Sequence, residues 1–311
     1  MSASTSQQGV VILGIFVADL AFMGDRMPKM GETIAGSGFK MGPGGKGSNQ
    51  SVAAARAGAK VTFLSKIGKD AFGEIAQKTW KEEGIDAKVG ISDQDPSGVA
   101  FIHVNDRTGE NAIIVYPGAA GTISPADADA AADVIRGAKV FVTQLEQPVA
   151  AAQRALEIAR AAGVITIFNP APAEKFPDAI YPLCDYVVPN ESEAAALVGF
   201  ELTDLAAAKK AGDVLLAKGA KNALITLGER GALLHSKEGS THVPAMAAGT
   251  VIDTAGAGDA FVGGFAAAIA NGASPADAVR FGCAVAGISV TRRGTAPSMP
   301  KRAEIDALLA R

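Results

Sequence analysis

Metal-ligating and redox side chains are scarce in this sequence: its 311 residues include two cysteines and three histidines. Cys184 and Cys283 lie far apart, so buried thiols in a reducing cytoplasm are expected, not a disulfide framework. His103, His235 and His242 lack metal-ligand spacing and are expected in or beside strands. Neither sign of charge dominates. The net charge is -3 and no long basic run occurs, which argues against nucleic acid or anionic membrane as partner. No apolar run reaches the length of about 18 residues that a membrane span needs. The opening Met1 to Gly9 is polar, uncharged and without an apolar centre, so it reads as a frayed tail, not a signal peptide. Two common nucleotide fingerprints are missing as well. Gly14-Ile-Phe-Val-Ala-Asp19 contains no GxGxxG, which counts against a nicotinamide dehydrogenase. Lys46 is followed by Gly47 where a Walker A loop needs Ser or Thr.

Hydrophobic residues make up 48% of the chain, enough for the core of one large α/β domain. Apolar, strand-like runs occupy Val10–Leu13, Lys139–Gln144, Val164–Phe168, Tyr186–Val188 and Ala223–Leu227. Helical patterns cover Ser48–Ala57, Val149–Ala162, Glu191–Val198, Asp204–Lys218, Gly258–Ala270 and Pro275–Thr291. Near-continuous apolar strands linked by helices imply a doubly wound, mostly parallel sheet with helices on both faces. Two segments break the rhythm. Thr33–Met41 alternates between glycines, and Gly98–Val104 with Asn111–Tyr116 reads as a hairpin around a polar loop. A small antiparallel β lid is expected from residues 14–41 and 98–117. The core is then 1–13, 42–97 and 118–311.

Asp253-Thr-Ala-Gly-Ala-Gly-Asp259 leads directly into an Ala- and Gly-rich helix. The glycines permit a tight turn, and the free N–H groups and dipole of the helix start suit phosphate. Asp259 is then placed to take a proton from a hydroxyl. Taken alone, the stretch is equally an ordinary helix N-cap. The second site signal is Gly42-Pro-Gly-Gly-Lys-Gly-Ser-Asn-Gln50. Its glycines let a ligand approach the backbone, and Lys46 and Asn49 offer donors to sugar hydroxyls.

Together, Gly44-Gly-Lys-Gly-Ser-Asn49 and Asp253–Asp259 resemble the two signature motifs of the ribokinase family of carbohydrate and nucleoside kinases. Further stretches are similar to that family: Gln144-Leu-Glu-Gln-Pro148, Asn169-Pro-Ala-Pro172, Pro189-Asn-Glu-Ser-Glu193, Thr226-Leu-Gly-Glu-Arg-Gly231 and Val290-Thr-Arg-Arg-Gly294. The likeness runs from about Val10 to the C-terminus. It implies an ATP-dependent sugar kinase that phosphorylates a primary hydroxyl, with O5 of D-ribose as first expectation. Asp259 is the implied general base, and Gly256, Ala257 and Gly258 the implied anion hole. Asp19, Gly45, Lys46, Asn49, Glu146 and Asp259 are implied to bind the sugar. Asn190, Glu193, Thr226, Gly228, Gly231 and Gly258 are implied to face ATP and its Mg2+, although capping of a helix also explains Asn190 and Glu193. A potassium site is implied at Asp253, Ala255, Ser289, Arg292, Gly294 and Ser298. A cytoplasmic homodimer joined through the β lid completes the implied picture.

One position departs from the pattern. The family's ribose kinases carry Asn two residues before the Asp that matches Asp19, and here that residue is Val17. Other acceptors therefore stay open: fructose, 2-keto-3-deoxygluconate, adenosine or inosine. So does a non-catalytic sugar- or nucleotide-binding regulator.

Overall fold

The computed structural model describes residues 7–311. Thirteen strands are formed among them. They are β1 (Val10–Leu13), β2 (Val17–Gly24), β3 (Gly38–Gly44), β4 (Val61–Gly68), β5 (Asp86–Ser92), β6 (Gly98–Asn105) and β7 (Asn111–Tyr116), followed by β8 (Val140–Thr143), β9 (Ile165–Phe168), β10 (Tyr186–Val187), β11 (Asn222–Thr226), β12 (Ala232–Ser236) and β13 (Gly239–Val243). Nine build one sheet in the order β13-β12-β11-β10-β9-β8-β1-β4-β5. From β10 to β5 every pairing is parallel, and β11 pairs parallel with β10. The edge strands β12 and β13 run antiparallel.

Alternation along the strands explains why both faces of this sheet are covered. Val10 and Ile12 of β1 pack into one core cluster with Val140 and Val142. Val11 and Leu13 pack into the other with Phe141. Successive residues of a strand point to opposite faces, so an all-apolar strand serves two cores. The first cluster takes helices Lys46–Arg56, Ala71–Glu82, Ala257–Ala270 and Pro275–Ser289. Strand order reverses around β1, and such a reversal is where open α/β sheets bind ligands, beyond the strands' carboxyl ends.

The second sheet has the order β3-β2-β6-β7. It is not wholly antiparallel, as expected from sequence, because β2 and β6 pair in parallel from Val17↔Gly98 onward. Its limits also differ. Ile15 and Phe16 are fully buried in the core, so the chain enters the second sheet at Val17. At the other end β3 runs on to Gly44, past the expected limit at residue 41, because its partner β2 starts directly opposite at Val17. Of the expected N-terminal tail, residues 1–6 lie outside the described residues. Gln7 and Gln8 are tied down, with the Gln7 amide donating to the carbonyls of Arg136 and Ala162, and Gln8 N to Gly137 O.

Candidate functional site

The two motif helices touch because one of them has no side chain at Gly263. A Cβ on Gly263 would lie 2.5 Å from Gln50 O and 2.6 Å from the Ala53 Cβ. Helix Ala257–Ala270 can therefore press directly on helix Lys46–Arg56. That contact brings Asn49 and Gln50 of one helix against Asp259 in the first turn of the other. Asn49 Nδ2 donates to Asp259 Oδ2 and Gln50 Nε2 to Asp259 Oδ1, both at 3.0 Å. The Asn49 Oδ1 atom is buried without a partner.

Asp259 is buried, and burial raises its pKa while Lys46 and the two amides oppose the rise. Around it stand three more acids. Asp19 of β2 is raised to about 6 by burial and by the charge of Asp259, against a hydrogen bond from Thr295. Glu146, just beyond β8, is raised to about 7 by burial, then by Asp259 and Asp19, with Lys46 opposing. It accepts the Lys46 backbone N–H at 2.7 Å. Glu193 is raised by burial and by Asp259, against Asn190 N and Lys46. Burial disfavours the Lys46 cation, but Asp259, Glu146 and Glu193 together outweigh that and raise its pKa. One ammonium thus serves several carboxylates, an arrangement that offers acceptors and one donor to hydroxyl groups.

Gly44 makes room for Asp19. A Cβ there would fall 2.2 Å from Asp19 Oδ1, so only Gly lets the carboxylate fold back over β3. Gly45, the cap of helix Lys46–Arg56, has φ 88°. Val17 lies opposite Gly44 and shares the Asp19 face of β2. It is buried, so the wall beside this carboxylate is apolar.

The helix start at Gly256 has the left-handed conformation, with φ 75°. Of the expected anion-hole groups, Ala257 N donates to Thr254 O at 3.2 Å. Gly258 is exposed, and a Cβ added there would meet nothing within 4 Å. First-turn N–H groups such as that of Gly258 have no intrahelical acceptor and suit an anion.

Asn190 and Glu193 form a reciprocal capping box: Asn190 Oδ1 accepts Glu193 N and Glu193 Oε2 accepts Asn190 N, both at 2.8 Å. Asn190 also makes a parallel bridge with Thr226 at the end of β11. Gly228 starts the short turn that follows, and Gly231 closes it, with Leu227 N donating to Gly231 O. Glu191 and Arg230 form an ion pair across this turn. Of these residues, Glu193 feels the charge of Lys46.

The residues expected to hold potassium come together in part. Asp253 Oδ1 accepts Ala255 N and Oδ2 accepts Gly294 N, each at 2.9 Å, so this carboxylate joins two loops. The Ser289 hydroxyl donates to Ala286 O and the Ser298 hydroxyl to Thr295 O. The Arg292 side chain turns away to pair with Glu304. Of the expected set, Asp253, Ala255 and Gly294 are thus directly joined, while the side chains of Ser289, Arg292 and Ser298 are engaged with Ala286, Glu304 and Thr295. Among the described residues, no cluster of three or more His, Cys, Asp or Glu forms a metal cage.

Four polar residues at the site escaped the sequence reading. Thr295 reaches Asp19 and the Pro43 carbonyl, and it underlies Gly256. Gln50, Gln144 and Asn169 form a buried amide chain behind Asp259. The last three sit inside motif stretches, but single amides carry no spacing signal of their own.

A buried carboxylate held by two amides, beside a helix start with free N–H groups, is an arrangement that suits a small-molecule kinase. The chain belongs to the pfkB family of carbohydrate kinases, which matches residues 7–302, and is thus a phosphotransferase with an alcohol acceptor. It is 38% identical to the ribokinase of Haemophilus influenzae over 296 residues, covering 95% of this chain and 96% of that one. It is 36% identical to the deoxyribokinase of Salmonella typhi over 306 residues, covering 97% and 98%. Among solved structures, Arabidopsis thaliana ribokinase complexed with ribose and ATP superposes with a TM-score of 0.91, at 29% identity and 97% and 98% coverage.

Proposed function

We propose that the protein transfers the γ-phosphoryl group of ATP to O5 of D-ribose, giving ribose 5-phosphate and ADP. The observation that carries this reading is the Asp259 carboxylate, gripped by Asn49 and Gln50 at an open helix start. Similarity to ribokinases over nearly the whole chain supplies the acceptor. Asp259 accepts the proton of the 5-hydroxyl, whose oxygen bonds to the γ-phosphorus as the bond to the ADP oxygen breaks. Asp19, Gly45, Lys46, Asn49 and Glu146 hold the sugar, and the unpartnered Asn49 Oδ1 is an acceptor for one of its hydroxyls. The Gly258 and Gly256 N–H groups face the transferring phosphoryl, while the Ala257 N–H, held by Thr254 O, fixes the turn between them. Asn190, Glu193, Thr226, Gly228 and Gly231 face the nucleotide.

Asn190 and Glu193 would hold a hydrated Mg2+, which would supply charge neutralisation on ATP. K+ fits the loops joined by Asp253 and would steady the helix start beside them. The second sheet acts as a lid that excludes water from the closed site. Phe22, Phe39, Met41, Ile113 and Ile114 are exposed on it, and a second copy of the chain covering this apolar surface explains their exposure. No helix among the described residues is long and apolar enough to cross a membrane. The buried free thiols of Cys184 and Cys283 suit the reducing cytoplasm, where we take the enzyme to act.

A second reading has its own observation. Val17 presents an apolar wall beside Asp19, and the deoxyribokinase relative is nearly as similar as the ribokinase. A pentose lacking one hydroxyl would meet that wall without losing a hydrogen bond. Comparing kcat/KM for D-ribose and 2-deoxy-D-ribose, in the parent and in Val17→Asn, tests both readings. A ribose preference in the parent supports ribokinase activity. A deoxyribose preference reversed by Val17→Asn supports the second reading, and turnover of neither sugar contradicts both.

A further inference from the structure

Gln50 has no solvent exposure. All its amide hydrogens are committed. Nε2 donates to Asp259 Oδ1 and to Asn169 Oδ1, each at 3.0 Å. Its Oε1 accepts Gln144 Nε2 at 2.5 Å. Asn169 is oriented in turn, because its Nδ2 donates to Val188 O at 2.8 Å. A flipped Gln50 amide would set its oxygen against two acceptors and its nitrogen against a donor, so only one orientation is satisfied. The chain of contacts spans a helix, the ends of β8 and β9, and the first turn of helix Ala257–Ala270.

A carboxylate on a free Cβ rotates, and a general base needs a defined plane. Asn49 holds one oxygen of Asp259, but its own Oδ1 is unpartnered, so nothing in the protein fixes this amide from behind. Gln50 holds the other oxygen from within a buried network in which its own donors and acceptor are all paired, the Gln144 Oε1 atom alone of the Gln50, Gln144 and Asn169 amides lacking a partner. We infer that Gln50, locked by Gln144 and Asn169, is the positioning residue for the Asp259 carboxylate. The inference rests on Asp259 being the base. A donor to the carboxylate also favours its ionised form, so removing the donor raises the pH at which the base becomes active.

The test is Gln50→Met and Gln144→Met in the full chain, with kcat and both KM values followed from about pH 5 to about pH 9. Gln50→Met is expected to lower kcat by roughly 10- to 100-fold. Both KM values should stay within about threefold. The acid limb of the kcat profile should move up by at least roughly half a pH unit. Gln144→Met should give a smaller change of the same kind, and the double variant should be no worse than Gln50→Met, since Gln144 acts through Gln50. An unmoved acid limb, or a loss confined to KM, overturns the positioning role. If Gln50→Met does not fold, Gln144→Met decides by the same limb. Asp259→Asn separates the two layers: near-normal kcat there removes the base assignment itself. A kcat lost there but kept in Gln50→Met removes only the positioning role.

Discussion

Asn49 and Asp259 are 210 residues apart in sequence, yet Asn49 Nδ2 lies 3.0 Å from Asp259 Oδ2. The distance joins the two glycine-rich motifs into one site. The amide nitrogen serves the carboxylate, and the buried amide oxygen has no partner in the protein. Everything proposed for catalysis depends on this carboxylate being the proton acceptor.

Asp259→Asn should therefore lower kcat by at least about 10²-fold while sugar affinity changes by less than about threefold. Steady-state kinetics with calorimetric titration of the sugar checks this. A variant with near-normal kcat would remove Asp259 from the base role.

Gly44→Ala should damage sugar binding selectively. Its Cβ would lie 2.2 Å from Asp19 Oδ1 and 2.4 Å from Asp19 Cγ, so the carboxylate must leave its place. Loss of a charged hydrogen bond costs about 1.5–3 kcal/mol, or roughly 10- to 100-fold in sugar KM. The KM for ATP should change by less than about twofold. Equal rises in both KM values would contradict the role given to Asp19.

The pKa of Glu146 makes a prediction about stability. It is raised from 4.5 to about 7 in the folded chain, so the folded state binds this proton more tightly than the unfolded one. Stability then falls as pH rises between those values. Glu146→Gln removes this dependence. Its Tm should exceed the parent's at about pH 8 and the gain should vanish near about pH 4. The same Tm difference at both pH values would refute the raised pKa.

Potassium should raise kcat over sodium or choline at matched ionic strength, and Asp253→Ala should abolish the difference. Asp253 ties Ala255 to Gly294, the two loops that would surround the cation. Identical rates in the three salts would sink the cation proposal.

Much of this was legible in the sequence, for physical reasons that differ by region. Val10–Leu13 and the Val140–Val142 centre of Lys139–Gln144 read as strands because burial on both faces leaves an apolar run. Val61–Gly68 did not stand out, since Ser65 and Lys66 interrupt it. The strand Val17–Gly24 was hidden, and its parallel pairing with β6 depends on a partner some 80 residues away that no local pattern announces. At the site, Asp259 and Lys46 announce themselves through the glycines around them. Gln50, Gln144, Asn169 and Thr295 do not, because their function arises only from where the packed helices and strand ends place them. Asn190 and Glu193 were readable both as a cap and as site residues. The reciprocal hydrogen bonds realise the cap, which holds Glu193 beside Lys46.

The most direct measurement is phosphorus NMR of the products formed from MgATP and D-ribose in potassium buffer. The account predicts one ribose 5-phosphate for every ADP, with no turnover in Asp259→Asn under the same conditions. ADP accumulating without a sugar phosphate, or phosphate transferred to another hydroxyl, would contradict it.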